Sequence, residues 1–207
     1  MVLCSHSNQL GKGYPVQVTD MVLLIQFYND QDWVEFRALE LQSLFQLYGV
    51  SDISMELNQS MLYILDASIP EEIIHQMCRR SVLVKHIYEL IASHPSSLQE
   101  IVNDVLQSDY WKVNTRHTNC SWNLQIHSLN KTFTHEMKEE YRHMFTNRLP
   151  LRGSIDLQSP EVEYHLIMEF PLNPNSDGSS DNISVPVFFG RLLSRGGMRE
   201  VIFLLNH

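Results

Sequence analysis

The chain has 207 residues, is 43% hydrophobic and carries a formal net charge of -9. That length suits one large or two small folded domains, and that hydrophobic content excludes a disordered tail. The acidic total argues against a sequence-blind nucleic-acid binder, and no apolar run approaches the roughly 20 residues that span a bilayer.

Residues 1–20 contain Gly11, Gly13 and Pro15 without sustained periodicity and are expected to form a loose arm. Its Gly-Lys-Gly lacks the spacing of a phosphate-binding loop, and no h-region marks a secretory leader, so a cytoplasmic location is expected. The continuous apolar run 21–28 predicts a buried strand. Asp32 with Glu35 reads as a capping box ahead of a helix carrying Val34, Leu41, Leu44, Phe45 and Tyr48 on one face and stopped by Gly49. Strands are expected at 52–57 and 61–66 around the turn at Asn58-Gln59-Ser60. Pro70, Glu71 and Glu72 open a second helix with Ile73, Ile74 and Met77 facing inward, and 82–91 reads as a further strand. Strand, helix, strand, strand, helix, strand over 21–94 is the ferredoxin-like plan.

Pro95-Ser96-Ser97 marks an expected boundary. A helix over 97–107, an irregular stretch over 108–120 and a strand over 121–128 follow, with Trp122, Leu124 and Ile126 on one side. A charged helix over 133–147 turns Met137, Tyr141, Met144 and Phe145 inward. Strands are expected at 154–157, 162–170, 185–193 and 199–206, with a solvated loop over 173–184 and a turn at Gly196-Gly197. The fold class is α+β. Phe188 and Phe189 point to opposite faces of their strand, one for the core and one available to stack on a base.

Catalytic signals are absent from the sequence. His135-Glu136 has Glu139 where a zincin needs its second histidine, and His135, Glu139 and His143 read as a solvated helix face rather than a metal site. Cys4, Cys78 and Cys120 form no CxxC pair and read as reduced thiols; the four Asn-x-Ser/Thr sequons, without a secretory leader, read as chance. There is no Ser/His/Asp signature, no glycine-rich turn for a dinucleotide or adenosyl cofactor, and no Asn/Asp-Pro-Pro-Tyr tetrad.

The charge is uneven, and this is the best functional signal. Residues 1–108 hold 13 acids and 5 bases, whereas 110–152 hold seven bases and three acids. The bases are Lys112, Arg116, Lys131, Lys138, Arg142, Arg148 and Arg152; Arg191, Arg195 and Arg199 follow. Local positive potential of this kind tracks a phosphate backbone, while Glu139 and Glu140 leave an ordinary solvated face as the alternative.

Five segments carry a resemblance: FRALELQSLFQLYG (36–49), LYILDASIPEEIIHQMCRRSVLVKHIYEL (62–90), WNLQIHSLNKTFTHEMKEEY (122–141), LPLRGSIDLQSPEVEYHLIMEF (149–170) and FFGRLLSRGGMRE (188–200). Together, over about 21–207, they resemble the eukaryotic tRNA guanine-10 N2-methyltransferase family. The resemblance implies a ferredoxin-like domain over 21–94 and a THUMP RNA-binding domain over 95–207. These would hold a tRNA by its acceptor stem and 3′ end. It also implies that methyl transfer from S-adenosylmethionine belongs to a downstream Rossmann-like domain, expected to begin near His207. That domain would bind a small zinc-containing activator subunit. The expectation for this chain is therefore tRNA binding, with no cofactor, metal, membrane contact or activity of its own. A free-standing protein-interaction module, or the RNA-binding part of a thiouridine or pseudouridine synthase, are the alternatives.

Overall fold

The computed structural model describes residues 21–29, 31–50, 60–171 and 185–197. The expected arm, the strands at 52–57 and 199–206, the loop at 173–184 and Arg199 lie outside the described residues.

Six strands form one mixed sheet in the order β2-β1-β3-β6-β5-β4. They are β1 (Met21–Phe27), β2 (Leu62–Ala67), β3 (Val84–His94), β4 (Trp122–Leu129), β5 (Val162–Glu169) and β6 (Val187–Arg195). The helices are α1 (Phe36–Leu47), α2 (Glu71–Arg80), α3 (Leu98–Gln107), the single turn α4 (Tyr110–Val113) and α5 (His135–Thr146). Neighbouring strands are antiparallel except β4 and β5, whose parallel pairing needs the long crossover that α5 occupies. The β3–β6 pairing, from His86↔Arg195 to His94↔Val187, joins the first half of the chain to the second within one sheet. In the first half β1 lies between β2 and β3; the fourth strand of a ferredoxin-like plan would fall on 52–57.

One face of the sheet carries two apolar cores. Leu23, Ile25, Phe27, Val84 and Ile87 pack under Leu41, Leu44 and Phe45 of α1 and Ile74 and Met77 of α2. Trp122, Leu124, Ile126, Tyr164, Leu166 and Phe189 pack under Ile101, Val102 and Val105 of α3 and Phe145 of α5. The rings of Phe145, Phe189 and Tyr164 form a stacked column, with centroids 5.2 and 5.8 Å apart. A third cluster fills the opposite face: Leu24, Met61, Leu62, Tyr88, Leu129, Ile167 and Phe188, with no described helix contributing. It brings together both edge strands, because the sheet curls. The Ser60 hydroxyl and the Met61 amide, at the entrance to β2, both donate to the Glu169 carboxylate at the end of β5. The register shifts in β3 at Ile87/Tyr88 and Leu90/Ala92 add the local bend that curling requires.

Local signals account for most element ends. Ser97 caps α3 by accepting from Glu100 N, Thr134 caps α5 by accepting from Met137 N, and Gly49 ends α1 at φ 71°. Four expectations need correction. Asp32 and Glu35 form no capping box: a 3-10 turn over Gln31–Trp33 intervenes, and Glu35 stands at the N-cap without a side-chain cap bond. The stretch 108–120, expected irregular, contains α4 and a second 3-10 turn at Thr115–Thr118. The expected strand at 154–157 is only an isolated bridge between Trp122 and Ile155. Neither Phe188 nor Phe189 is available to stack on a base: Phe188 is buried in the third cluster and Phe189 under α5.

Candidate nucleic-acid interface

The structure brings part of the basic set together at one corner. Trp111 in α4 donates its indole N–H to Val105 O at 2.7 Å, tying α4 to the end of α3. The 3-10 turn after α4 is then clamped to the segment after α5: Arg152 N and Gly153 N both donate to Thr118 O, at 2.6 and 3.2 Å. Gly153 makes this approach feasible. A Cβ there would lie 1.8 Å from the Cys120 carbonyl oxygen, so any side chain would push the two segments apart. Trp122 Nε1 donates to Gly153 O at 3.1 Å and fixes the segment to β4. Lys112, Arg116 and Arg152, 40 residues apart in sequence, are thereby exposed on one corner. Arg148 extends the corner along the end of α5, donating to Asn103 Oδ1 of α3 at 3.1 Å.

The corner borders a polar crevice between the two helix-covered cores, a cavity of about 400 Å³ lined by Glu71, Glu89, Asn114, Arg116 and Arg191 among others. Arg116 Nε donates to His117 Nε2 at 3.2 Å, so a neutral His117 carries its proton on Nδ1, beside the Tyr110 hydroxyl at 2.8 Å. Burial, then the charges of Arg191 and Arg116, push the His117 pKa down to about 4.

The remaining predicted cations are placed differently. Arg191 is 12% exposed and held by Glu89 at 2.8 Å and Glu71 at 3.3 Å, so its guanidinium is committed to the interior. Its charge is further stabilised by those carboxylates, against the opposing effect of burial. Arg142 pairs with Glu139 and donates Nε to Leu124 O at 3.3 Å, capping the free edge of β4 rather than facing solvent with Lys138. Arg195 pairs with Glu163. Lys112 pairs with Asp109 at 2.6 Å, but both side chains are largely exposed, where such a pair is worth little and exchanges readily with a phosphate. Lys131 lies over the Phe170 ring at 4.8 Å, and Lys138 has no ion pair among the described residues. Both sit near the start of α5, the end opposite Arg148.

Sequence reasoning missed a polar patch within the concave face. Gln26 Oε1 accepts from the Tyr88 hydroxyl at 2.9 Å and lies 3.0 Å from His86 Nδ1. The His165 ring, 1% exposed, stacks on His127 at 4.9 Å and lies 5.0 Å from Tyr88. Burial first, then the other histidines and nearby Lys and Arg charges, lowers His86 and His127 to about 3. His165 is lowered by burial despite the opposing pull of Glu163. The only available signal was polar residues at alternate positions of otherwise apolar strands, as at Gln26 and His165. Among the described residues no cluster of His, Cys, Asp and Glu is arranged to hold a metal, and no helix is long and apolar enough to cross a membrane. Cys78 is buried, with its thiol pushed up to about 11 by burial.

A curved α+β sheet of this kind occurs in TrmN from Thermus thermophilus. The match has a TM-score of 0.50 and 14% identity over 84% of this chain and 46% of that one, which shows a shared fold. A family model described as the Tmrp11 THUMP N-terminal domain matches residues 21–198, and the chain belongs to that family. The tRNA (guanine(10)-N(2))-methyltransferase TRMT11 of Bos taurus is 31% identical over 176 residues, covering 83% of this chain and 36% of the relative. The human protein gives the same identity and coverage, and the Xenopus laevis protein is 30% identical. The chain thus spans about a third of the length of the curated relatives it matches.

Proposed function

We propose that this chain is the tRNA-gripping region of a tRNA guanine-N2 methyltransferase and that the corner formed by Lys112, Arg116, Arg148 and Arg152 is its phosphate contact. The observation that carries the reading is the Gly153 clamp: a glycine with no room for a side chain places two distant arginine-bearing segments side by side at the surface. Exposed cations on a rigid platform attract phosphates and position a folded RNA without reading its bases. Membership of a THUMP family with tRNA methyltransferase relatives supports RNA as the polyanion. Residues 21–94 and 95–207 act in this reading as a ferredoxin-like platform and a THUMP grip joined through one sheet, working in the cytoplasm.

The described residues do not fit an adenosyl cofactor. The strand-to-helix connections at 68–70, 95–97 and 130–134 contain no glycine, and the sheet is antiparallel apart from β4 and β5. S-adenosylmethionine chemistry and any small zinc-binding activator are assigned in this reading to other parts of the longer relatives. Filter binding at low salt tests the proposal. Preference for a folded tRNA over a duplex of equal charge supports it; equal retention of both, or of neither, rejects it.

A further inference from the structure

The first half of the chain carries an apolar surface that the RNA reading leaves unused. On α1 and the turn before it, Trp33 is 49% exposed, Phe36 48% and Leu39 57%, and Val82 across the groove is 40% exposed. Phe36, Leu39 and Ser43 fall on one helical stripe, which Leu47 continues. The Trp33 and Phe36 rings touch at 5.4 Å, forming one wall of a groove of about 510 Å³ whose other wall is Val82 and Leu83. Four large apolar side chains half-exposed side by side form the kind of contiguous patch that marks an interaction site on a folded protein.

Two features of charge select the occupant. Glu40 lines the groove, where its carboxylate accepts from Ser81 Oγ at 2.5 Å, Val82 N at 2.7 Å and Leu83 N at 3.1 Å, and no cation pairs with it among the described residues. Exposed Asp32 and Glu35 add negative charge at the same end. These three acids, in a half of the chain with 13 acids and 5 bases, repel both RNA and a second copy of the same face. We propose that this groove binds a protein segment that presents apolar side chains at helical spacing together with a lysine or arginine that pairs with Glu40. The apolar stripe seats on Phe36, Leu39 and Val82, and the cation reaches the half-buried carboxylate. This is the helix-in-groove mode of recognition with charge as the selector.

The test uses the full chain and two synthetic amphipathic peptides, each with leucines at positions i, i+3, i+7 and i+10, one flanked by lysines and the other by glutamates. Emission from half-exposed Trp33 reports binding, because Trp111 and Trp122 are buried. The lysine peptide is expected to shift that emission to the blue, saturably, and to bind at least about tenfold more tightly than the glutamate peptide. Leu39→Asp, at an exposed position that leaves the core intact, should abolish binding without changing circular dichroism or tRNA retention. Glu40→Gln, which removes the charge while keeping one oxygen for the Val82 and Leu83 amides and offering its NH2 to Ser81 Oγ, should bring the two peptides to within about twofold of each other. Failure of the lysine peptide to bind, equal binding of both peptides by the unaltered chain, or binding that survives Leu39→Asp overturns the proposal. A concentration-dependent dimer in sedimentation that Leu39→Asp dissolves would assign the groove to a second copy instead.

Discussion

The concave histidines make a sharp prediction about acid stability. His86 and His127 are held near pKa 3 in the folded chain, against about 6.5 when unfolded, mainly because burial disfavours their charged forms. Below pH 6.5 the unfolded chain therefore takes up protons that the folded chain refuses. Stability falls as pH drops from about 6.5 toward 3 and is fully present above about pH 7. Each histidine has a slope approaching about 1.4 kcal/mol per pH unit, or about 2 kcal/mol between pH 7 and pH 5. The pair together cost about 4 kcal/mol over that interval, a large share of the stability of a domain this size. His117 and His165, both also lowered, act with the same sign. Below pH 5, Glu163, lowered first by its bond to His165, adds to the loss as it is protonated. Urea unfolding followed by the emission of buried Trp111 and Trp122 reads the effect directly. These two histidines alone should lower the midpoint by about 1.5 to 2 M from pH 7 to pH 5, and His86→Gln with His127→Gln should shrink the observed drop by about that amount, leaving the part due to His117 and His165. A midpoint that is the same at both pH values, or a pH dependence unchanged in the double variant, would refute the assignment of these histidines as neutral interior groups.

Two further outcomes follow from the geometry. Arg191→Leu leaves Glu89 half-buried without its 2.8 Å partner and should cost about 3 to 5 kcal/mol in the same urea assay, whereas Arg191→Leu with Glu89→Leu should recover much of the loss. Gly153→Ala should destabilise the chain by about 1 to 3 kcal/mol, because the Cβ would collide with the Cys120 carbonyl, and should weaken tRNA retention more than Arg142→Ala does.

Elements with strong periodicity were legible in the sequence. β1, α2, α3, β4 and α5 fall close to where apolar spacing and caps put them. The single continuous sheet was not legible, because β3 and β6 pair across about a hundred residues and strand pairing leaves no local sequence mark. The curl that buries Phe188 was hidden for the same reason: it depends on Ser60 and Met61 meeting Glu169 from the far side of the sheet. Within the proposed site, the basic window of the sequence contains the four cations of the corner, but composition alone does not separate exposed Arg116 and Arg152 from Arg142 and Arg191. Glu139 lies one turn from Arg142 and is a local partner, but the Leu124 carbonyl that also holds Arg142 and the Glu89 carboxylate that holds Arg191 are fixed by tertiary placement. No local sequence pattern marks Gly153, because its constraint comes from the Cys120 carbonyl 33 residues earlier, which a Cβ there would meet.

The central claim is that the Gly153-clamped corner grips phosphate, and the salt dependence of tRNA binding measures it most directly. Each phosphate contact contributes about -0.7 to -0.9 to the slope of log binding constant against log salt. Arg116→Ala with Arg152→Ala is expected to make that slope shallower by about two contacts, while Arg142→Ala, already satisfied by Glu139, leaves it unchanged. An unchanged slope in the double variant, or an equal loss in Arg142→Ala, would contradict the account.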